Sequence, residues 1–315
     1  MTLPLCPNCS ARENPQLIRQ TDFFRLWECP NCRLLFKSIP DLDRRKSQEL
    51  QDVVYDDLTE RTETKIYRTI AKKRFSLLRQ FIQCGNLLEI GCAAGEFLEL
   101  AQNNSFSATG IDGSELYTKY ASQNNLKVLR GRLEDFHFQN ESFDVIAFFH
   151  LLEHLENPSS FLKQIYPLLK PGGFLFIITP NRNSFTDNLF ASKNPIINQP
   201  DHLLFFSEPN LRTLLTKTGF DLFYIATKEY PHHLFASIKS VIGQQLHQRK
   251  PDYSASPRST VSQTTPLKTN LKLRIIRQAP YILSSIFYLL LLPYRLLLER
   301  NGRGHELICL AKKVK

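Results

Sequence analysis

A chain of 315 residues with 42% hydrophobic content can build one large domain with accessories around a sizeable core. Its formal net charge of +10 is unevenly spread: residues 1–80 carry +4, residues 81–230 carry −5 and residues 231–315 carry +11. The excess belongs to the last quarter, which excludes a uniformly basic chain. Seven cysteines, four of them paired near the N-terminus and three scattered, exclude a disulfide framework.

Residues 1–40 are anchored by Cys6-Pro-Asn-Cys9 and Cys29-Pro-Asn-Cys32, separated by 19 residues. This spacing suits a tetrahedral zinc site with Cys6, Cys9, Cys29 and Cys32 as ligands. It resembles a zinc ribbon, with "FFRLWEC" as a strand between two knuckles. So short a segment has too little core without metal, so a structural zinc is the default. A nucleic-acid role is the sharper alternative, since Arg12, Arg19, Arg25, Arg33 and Lys37 surround Phe23, Phe24 and Trp27. The first residues, "MTLPLCPNC", lack the pattern of a signal peptide, and the expected compartment is a reducing cytoplasm.

Residues 41–80 are charged and helical in pattern, with Ile66, Ile70, Phe75, Leu78 and Phe81 on one face. From residue 87, apolar strands alternate with helical stretches. Strands are expected at Leu87–Ile90, Ala108–Ile111, Lys127–Arg130, Asp144–Phe149, Phe174–Thr179 and Leu222–Ala226, with a last one in "HELICLAKK", 305–313. Pro171-Gly172-Gly173 is expected to end a helix before a buried strand. The pattern predicts a doubly wound, Rossmann-like α/β sheet.

The turn in "LLEIGCAAGEFLEL", 87–100, departs from a dinucleotide fingerprint, because Glu96 stands where the sixth-position glycine belongs. It also lacks the Gly-Lys-Ser/Thr ending of a P-loop. The order of Glu89, Gly91, Ala93 and Gly95 resembles the first motif of class I S-adenosylmethionine-dependent methyltransferases, with Ala93 where a middle glycine is usual. A negative φ would accommodate that methyl group. Asp112 closes the next strand 21 residues after Gly91, where a carboxylate can accept both ribose hydroxyls, and Ser114 is the better helix cap.

"GRLEDFHFQNESFDVIAFFHLLEHLENP" resembles the later motifs of that family. The resemblance implies Leu133 and Glu134 at the adenine edge, Arg132 where many relatives have Asp, and Phe149 over the cofactor. It covers about 50–230 and the final strand. Through "HLLEHLENP" and "DHLLFFSEPNLRTLL" it is nearest to the ubiquinone-biosynthesis O-methyltransferase type. The implied fold is a seven-stranded sheet, and the implied cofactor is S-adenosylmethionine. Methyl transfer asks the protein to align the acceptor and to remove its proton. His150 and His202 are the candidate bases, Glu153 is a second carboxylate, and His154 is expected to fix a loop.

The expected domains are the ribbon at 1–40, the cofactor-binding core at 41–230, an insertion at 231–304, and the last strand at 305–315. Within the insertion, 251–270 is rich in Ser, Thr and Pro and is expected to be a disordered linker. "QAPYILSSIFYLLLLPY", 278–294, is uncharged and flanked by Lys268, Lys272, Arg274, Arg277, Arg295 and Arg300. It is short for a membrane span. An apolar helix at 279–298 is expected either to pack on the core or a partner, or to anchor at a membrane surface. The expected acceptor is a small molecule, glycan or lipid, with RNA, or a non-catalytic cofactor-binding module, as alternatives.

Overall fold

The computed structural model describes residues 3–11, 14–38, 65–185, 195–199, 201–230 and 292–314. The expected linker at 251–270, residues 41–64 and residues 279–291 of the expected apolar helix lie outside them. The chain divides into two compact units. One comprises Met1–Arg182, Gln199–Thr227 and Glu306–Lys315, and the other comprises Asn183–Asn198 and Lys228–His305.

In the first unit the N-terminal strands are β1 (Gln16–Gln20), β2 (Arg25–Glu28) and β3 (Leu35–Ser38). The helix α1 (Lys65–Leu78) buries Ala71, Phe75 and Leu78 on the face predicted from its periodicity. The ring of Phe75 meets those of Phe97 and Phe106 edge-on at 5.9 Å each.

Strands and helices then alternate: β4 (Gly85–Ile90), α2 (Glu96–Gln102), β5 (Phe106–Asp112), α3 (Glu115–Gln123), β6 (Val128–Arg130), β7 (Phe143–Phe149), α4 (Pro158–Ile165) and β8 (Leu169–Pro180). After a short helix, α5 (Pro195–Asn198), come β9 (Leu204–Phe205), α6 (Glu208–Lys217) and β10 (Phe220–Lys228). The second unit supplies α7 (Leu292–Arg300), and the chain returns to the sheet as β11 (Glu306–Lys313).

The main sheet has seven strands in the order β10-β11-β8-β7-β4-β5-β6. Strands β4 to β8 pair in parallel within it, while β11 runs antiparallel to β8. The order reverses at β4, so loops leaving β4 and β7 part to opposite sides and open a crevice at their carboxyl ends. Both faces are covered, so the central strands are nearly continuous apolar runs. Leu88, Ile146, Leu175 and Ile177 face one core; Leu87, Val145, Phe176 and Ile178 face the other. Each such side chain, taken fully out of water, contributes about 1.5–3 kcal/mol.

One boundary differs from expectation. Pro171-Gly172-Gly173 does not precede the strand; it lies within β8. Phe143 pairs with Leu169 and Val145 with Phe174, so the partner strand makes an excursion between these pairs. Gly172 turns at φ 76 to allow it.

A second sheet, β1-β2-β3-β9, joins the N-terminal strands to β9, which follows β8 in the chain. Trp27, Leu34 and Phe36 lie in the same apolar cluster as Leu152, Leu204, Phe206 and Leu211. The N-terminal strands and this side of the main sheet therefore share one core. Among the described residues no helix is long and apolar enough to cross a membrane.

Candidate functional site

The crevice begins where β4 ends. Its register pairs Glu89 with Gly110 and Ile90 with Ile111, so buried Glu89 and Asp112 close adjacent strands. The turn after β4 is held from β5: Ile111 O accepts from Gly91 N–H at 2.8 Å and from Cys92 N–H at 3.1 Å. Asp112 Oδ2 accepts from Ala93 N–H at 2.7 Å, and its Oδ1 accepts from Ser114 N–H at 2.9 Å. Asp112 thus latches the turn through both carboxylate oxygens. Ser114 caps α3, accepting from Tyr117 N–H at 3.3 Å.

Gly91, Ala93 and Gly95 all have left-handed backbone, with φ of 75, 47 and 84. Ala93 therefore does not keep a negative φ. The latch from Asp112 holds an L-residue in a conformation that costs it about 1–2 kcal/mol. The turn is open at Gly91 and closed at Gly95, where a β-carbon would meet Leu126 at 2.5 Å. A β-carbon built at Gly91 would meet only Leu151, at 3.9 Å, and one at Gly113 would meet nothing within 4 Å. Two acids beside an unfilled bend suit a cationic nucleoside whose ribose needs an acceptor.

Leu133 is buried and Glu134 exposed in a 3-10 turn capped by Asp135 Oδ2, which accepts from Arg132 N–H at 2.7 Å. Phe149 ends β7 inside an aromatic cluster, edge-on to Phe97 at 4.9 Å and to Phe176 at 5.1 Å. The guanidinium of Arg74, on α1, stands 4.7 Å over the ring of Phe149.

A buried polar cluster occupies the carboxyl ends of β7 and β8. His150 has φ 52 and its N–H donates to Ile178 O at 2.8 Å. Its Nε2 lies 2.8 Å from Glu306 Oε1 and its Nδ1 lies 3.2 Å from Glu153 Oε1. Burial disfavours the imidazolium, but the bonds and charges of Glu153 and Glu306 outweigh it and raise the pKa to about 9. Burial likewise opposes ionisation of Glu153, yet His150 and the neighbouring histidines hold it down to about 2. Glu153 Oε2 also accepts from Thr179 Oγ1 at 3.1 Å. At neutral pH His150 is a cation with both ring nitrogens engaged.

His202 is the opposite case. It is buried, edge-on to His154 at 4.8 Å, and its Nδ1 has no hydrogen-bond partner among the described residues. Burial lowers its pKa to about 4, so it is neutral. His154 Nδ1 bonds Asp201 O at 2.9 Å and so fixes the loop, as expected. One donor atom each of Glu153, His154 and His202 lies within 4.8 Å of the others. Glu153 is already satisfied by His150 and Thr179, and the imidazolium beside it balances its charge, which leaves little drive for a cation there.

The four N-terminal cysteines converge. Cys6 and Cys32 Sγ are 3.6 Å apart, Cys9 and Cys29 Sγ are 3.5 Å apart, and all four lie within 4.8 Å of one another. Tetrahedral zinc with 2.3 Å bonds needs sulfurs about 3.8 Å apart, so the donor set fits that ion. The hydrogen bond from Cys6 holds the Cys32 thiol down to about 5, while the same contact and burial push Cys6 up.

The cysteine set, the acids beside the glycine turn, and the histidines after β7 and β8 were all visible in the sequence. Arg74 and Glu306 were not, although an acid opening the apolar run "HELICL" was an available signal.

Residues 58–225 match a family model described as a methyltransferase domain, more than half of the chain. A ubiquinone biosynthesis O-methyltransferase of Actinobacillus pleuropneumoniae is 36% identical over 108 residues, 30% of this chain and 46% of that protein. An uncharacterised protein of Methanocaldococcus jannaschii is 29% identical over 152 residues, 48% of this chain and 72% of that protein. The aligned stretches thus span between about half and three quarters of these relatives. Among solved structures, an S-adenosylmethionine-dependent methyltransferase of Thermotoga maritima shares the fold with a TM-score of 0.51 and 19% identity, covering 82% of this chain and 97% of that one.

Proposed function

Because the chain belongs to the methyltransferase-domain family, as a class I S-adenosylmethionine-dependent enzyme, we propose that it O-methylates a small-molecule, glycan or lipid-like acceptor, with His202 as the base. The observation that carries this reading is a turn open at Gly91 and flanked by two acids, in a chain whose His202, before β9, has no Nδ1 hydrogen-bond partner among the described residues. In this reading Glu89, Gly91, Ala93, Gly95 and Asp112 line the cofactor, Leu133 and Glu134 flank its adenine, and Phe149 with Arg74 backs the site. The bound cofactor supplies an electrophilic sulfonium methyl group.

With the cofactor held by these residues, its sulfonium would give up the methyl group to the acceptor oxygen and be left as a neutral thioether. The hydroxyl proton passes to His202. An imidazole of pKa about 4 is a weak base. It suffices here because the oxygen becomes strongly acidic as it is methylated, and the acceptor would have to reach the buried ring of His202 to pass that proton. His150 is not the base in this scheme, since as an imidazolium between two carboxylates it has no lone pair to offer.

The four cysteines are assigned to a structural zinc ion. The RNA alternative is the weaker reading. Lys37 is buried against Gln199 O and Trp27 is buried, so these two groups are committed within the molecule.

The test is an acceptor screen with methyl-labelled cofactor. Wild type should label a hydroxylated acceptor, and His202→Gln should lose at least tenfold in turnover while binding the cofactor within threefold of wild type. Equal turnover by His202→Gln would remove it from the mechanism.

A further inference from the structure

The cysteine ribbon is tied by backbone to the segment that carries His202. Its second knuckle is closed by two bonds of about 2.9 Å, Arg33 N–H to Cys29 O and Cys29 N–H to Leu34 O, and β3 starts at the next residue. β3 pairs antiparallel with β9 through Leu35 with Phe205 and Phe36 with Leu204. Lys37 extends the ladder, its N–H donating to Leu203 O at 2.8 Å. Its ammonium donates to Gln199 O at 2.6 Å, on the other side of His202. Leu203 N–H in turn donates to Glu153 O at 2.8 Å.

The first knuckle grips α6 as well. Asn8 Nδ2 donates to Asn210 O at 3.1 Å and approaches Cys32 Sγ at 3.5 Å, and Lys217 Nζ donates to Cys9 O at 3.2 Å. The cofactor turn, by contrast, is held from β5 by Ile111 and Asp112.

We propose that the ribbon is a positioning element of the acceptor side. With metal on its four cysteines, β3 and Lys37 hold Asp201–Phe205, and hence His202, against Glu153; loss of the metal frees that segment while leaving the cofactor side folded. The inference rests on the zinc assignment and on the reading of His202 as the base. Its physical ground is twofold. The two knuckles have little apolar core of their own beyond the face they share with the main sheet, so the metal is what fixes the turns from which β3 starts. Proteins also open in local cooperative units whose limits follow shared hydrogen bonds and packing. Lys37 is a positioning residue here, acting through the segment it clamps.

Hydrogen exchange on the full chain reads this without any acceptor. Zinc is quantified by elemental analysis, then removed with a chelator. Amides at 201–206 should exchange at least tenfold faster in the stripped protein, amides at 87–113 should stay within twofold, and cofactor affinity by calorimetry should stay within threefold. Unchanged protection at 201–206, or equal loss at 87–113, would overturn the proposal.

Lys37→Met tests the clamp with the cysteines intact. Zinc content should match wild type, exchange at 201–206 should rise, and the His202 ring resonances should move, with Lys37→Arg restoring both. If Lys37→Met leaves exchange and ring resonances as in wild type, the positioning role is wrong. A chain that never carries zinc would sink the metal assignment, while the Lys37 comparison would still decide whether the ribbon positions the loop.

Discussion

His150 makes a pH dependence that Glu306→Gln should expose. The imidazole lies 2.8 Å from Glu306 and 3.2 Å from Glu153, both buried acids, and its pKa rises from 6.5 to about 9. At about 1.4 kcal/mol per tenfold change, that rise is worth at most roughly 3 kcal/mol. The ring is 34% exposed, so solvent screening reduces it to about 2 kcal/mol. The depressed Glu153 is the same interaction seen from its partner, and the two are not added.

Because the folded pKa is raised, this stability is fully present below pH 6.5 and is lost as pH climbs through about 9. Glu306→Gln removes one of the two anions. The gap in unfolding free energy between wild type and variant should therefore shrink by about 1–2 kcal/mol between pH 6 and pH 10. Denaturant titrations followed by circular dichroism measure the gap, and groups common to both proteins, such as Lys37 with its pKa near 7, cancel in the difference. A gap independent of pH, or a His150 ring titrating near 6.5, would refute the argument.

Two further outcomes follow from the turn and the cysteines. Ala93→Gly relieves the left-handed alanine at φ 47, a gain of about 1–2 kcal/mol, less roughly 0.4–1 kcal/mol for glycine's extra freedom when unfolded. Thermal melting should rise by about 1–3 °C, and a lower midpoint would show that Ala93 is not strained. Cys29→Ser should abolish stoichiometric zinc while cofactor affinity stays within threefold; metal persisting at one ion per chain would mean the four-cysteine assignment is mistaken.

The strands of the main sheet were legible because a parallel strand covered on both faces has no polar side, and "LLEI", "DVIAFF" and "FLFIIT" show it. The start of β8 was not, since Pro171 and two glycines read as a stop whereas the strand bulges through them. β9 is two residues long, and its partner Leu35–Phe36 is about 170 positions away, so nothing local marks it. The same distance hid the polar cluster. His150 was visible as a histidine at a strand end, but its protonation depends on Glu306, which lies 156 residues further along. Asp112 was legible as a site acid, and its second task, latching Ala93, required the fold.

The account stands most directly on calorimetric titration of S-adenosylmethionine into wild type and Asp112→Asn. Wild type should bind one molecule per chain, and the variant should bind at least tenfold more weakly, a loss of about 1.4 kcal/mol or more, with its circular dichroism unchanged. Equal affinity in the two proteins, or no binding by wild type, would contradict it.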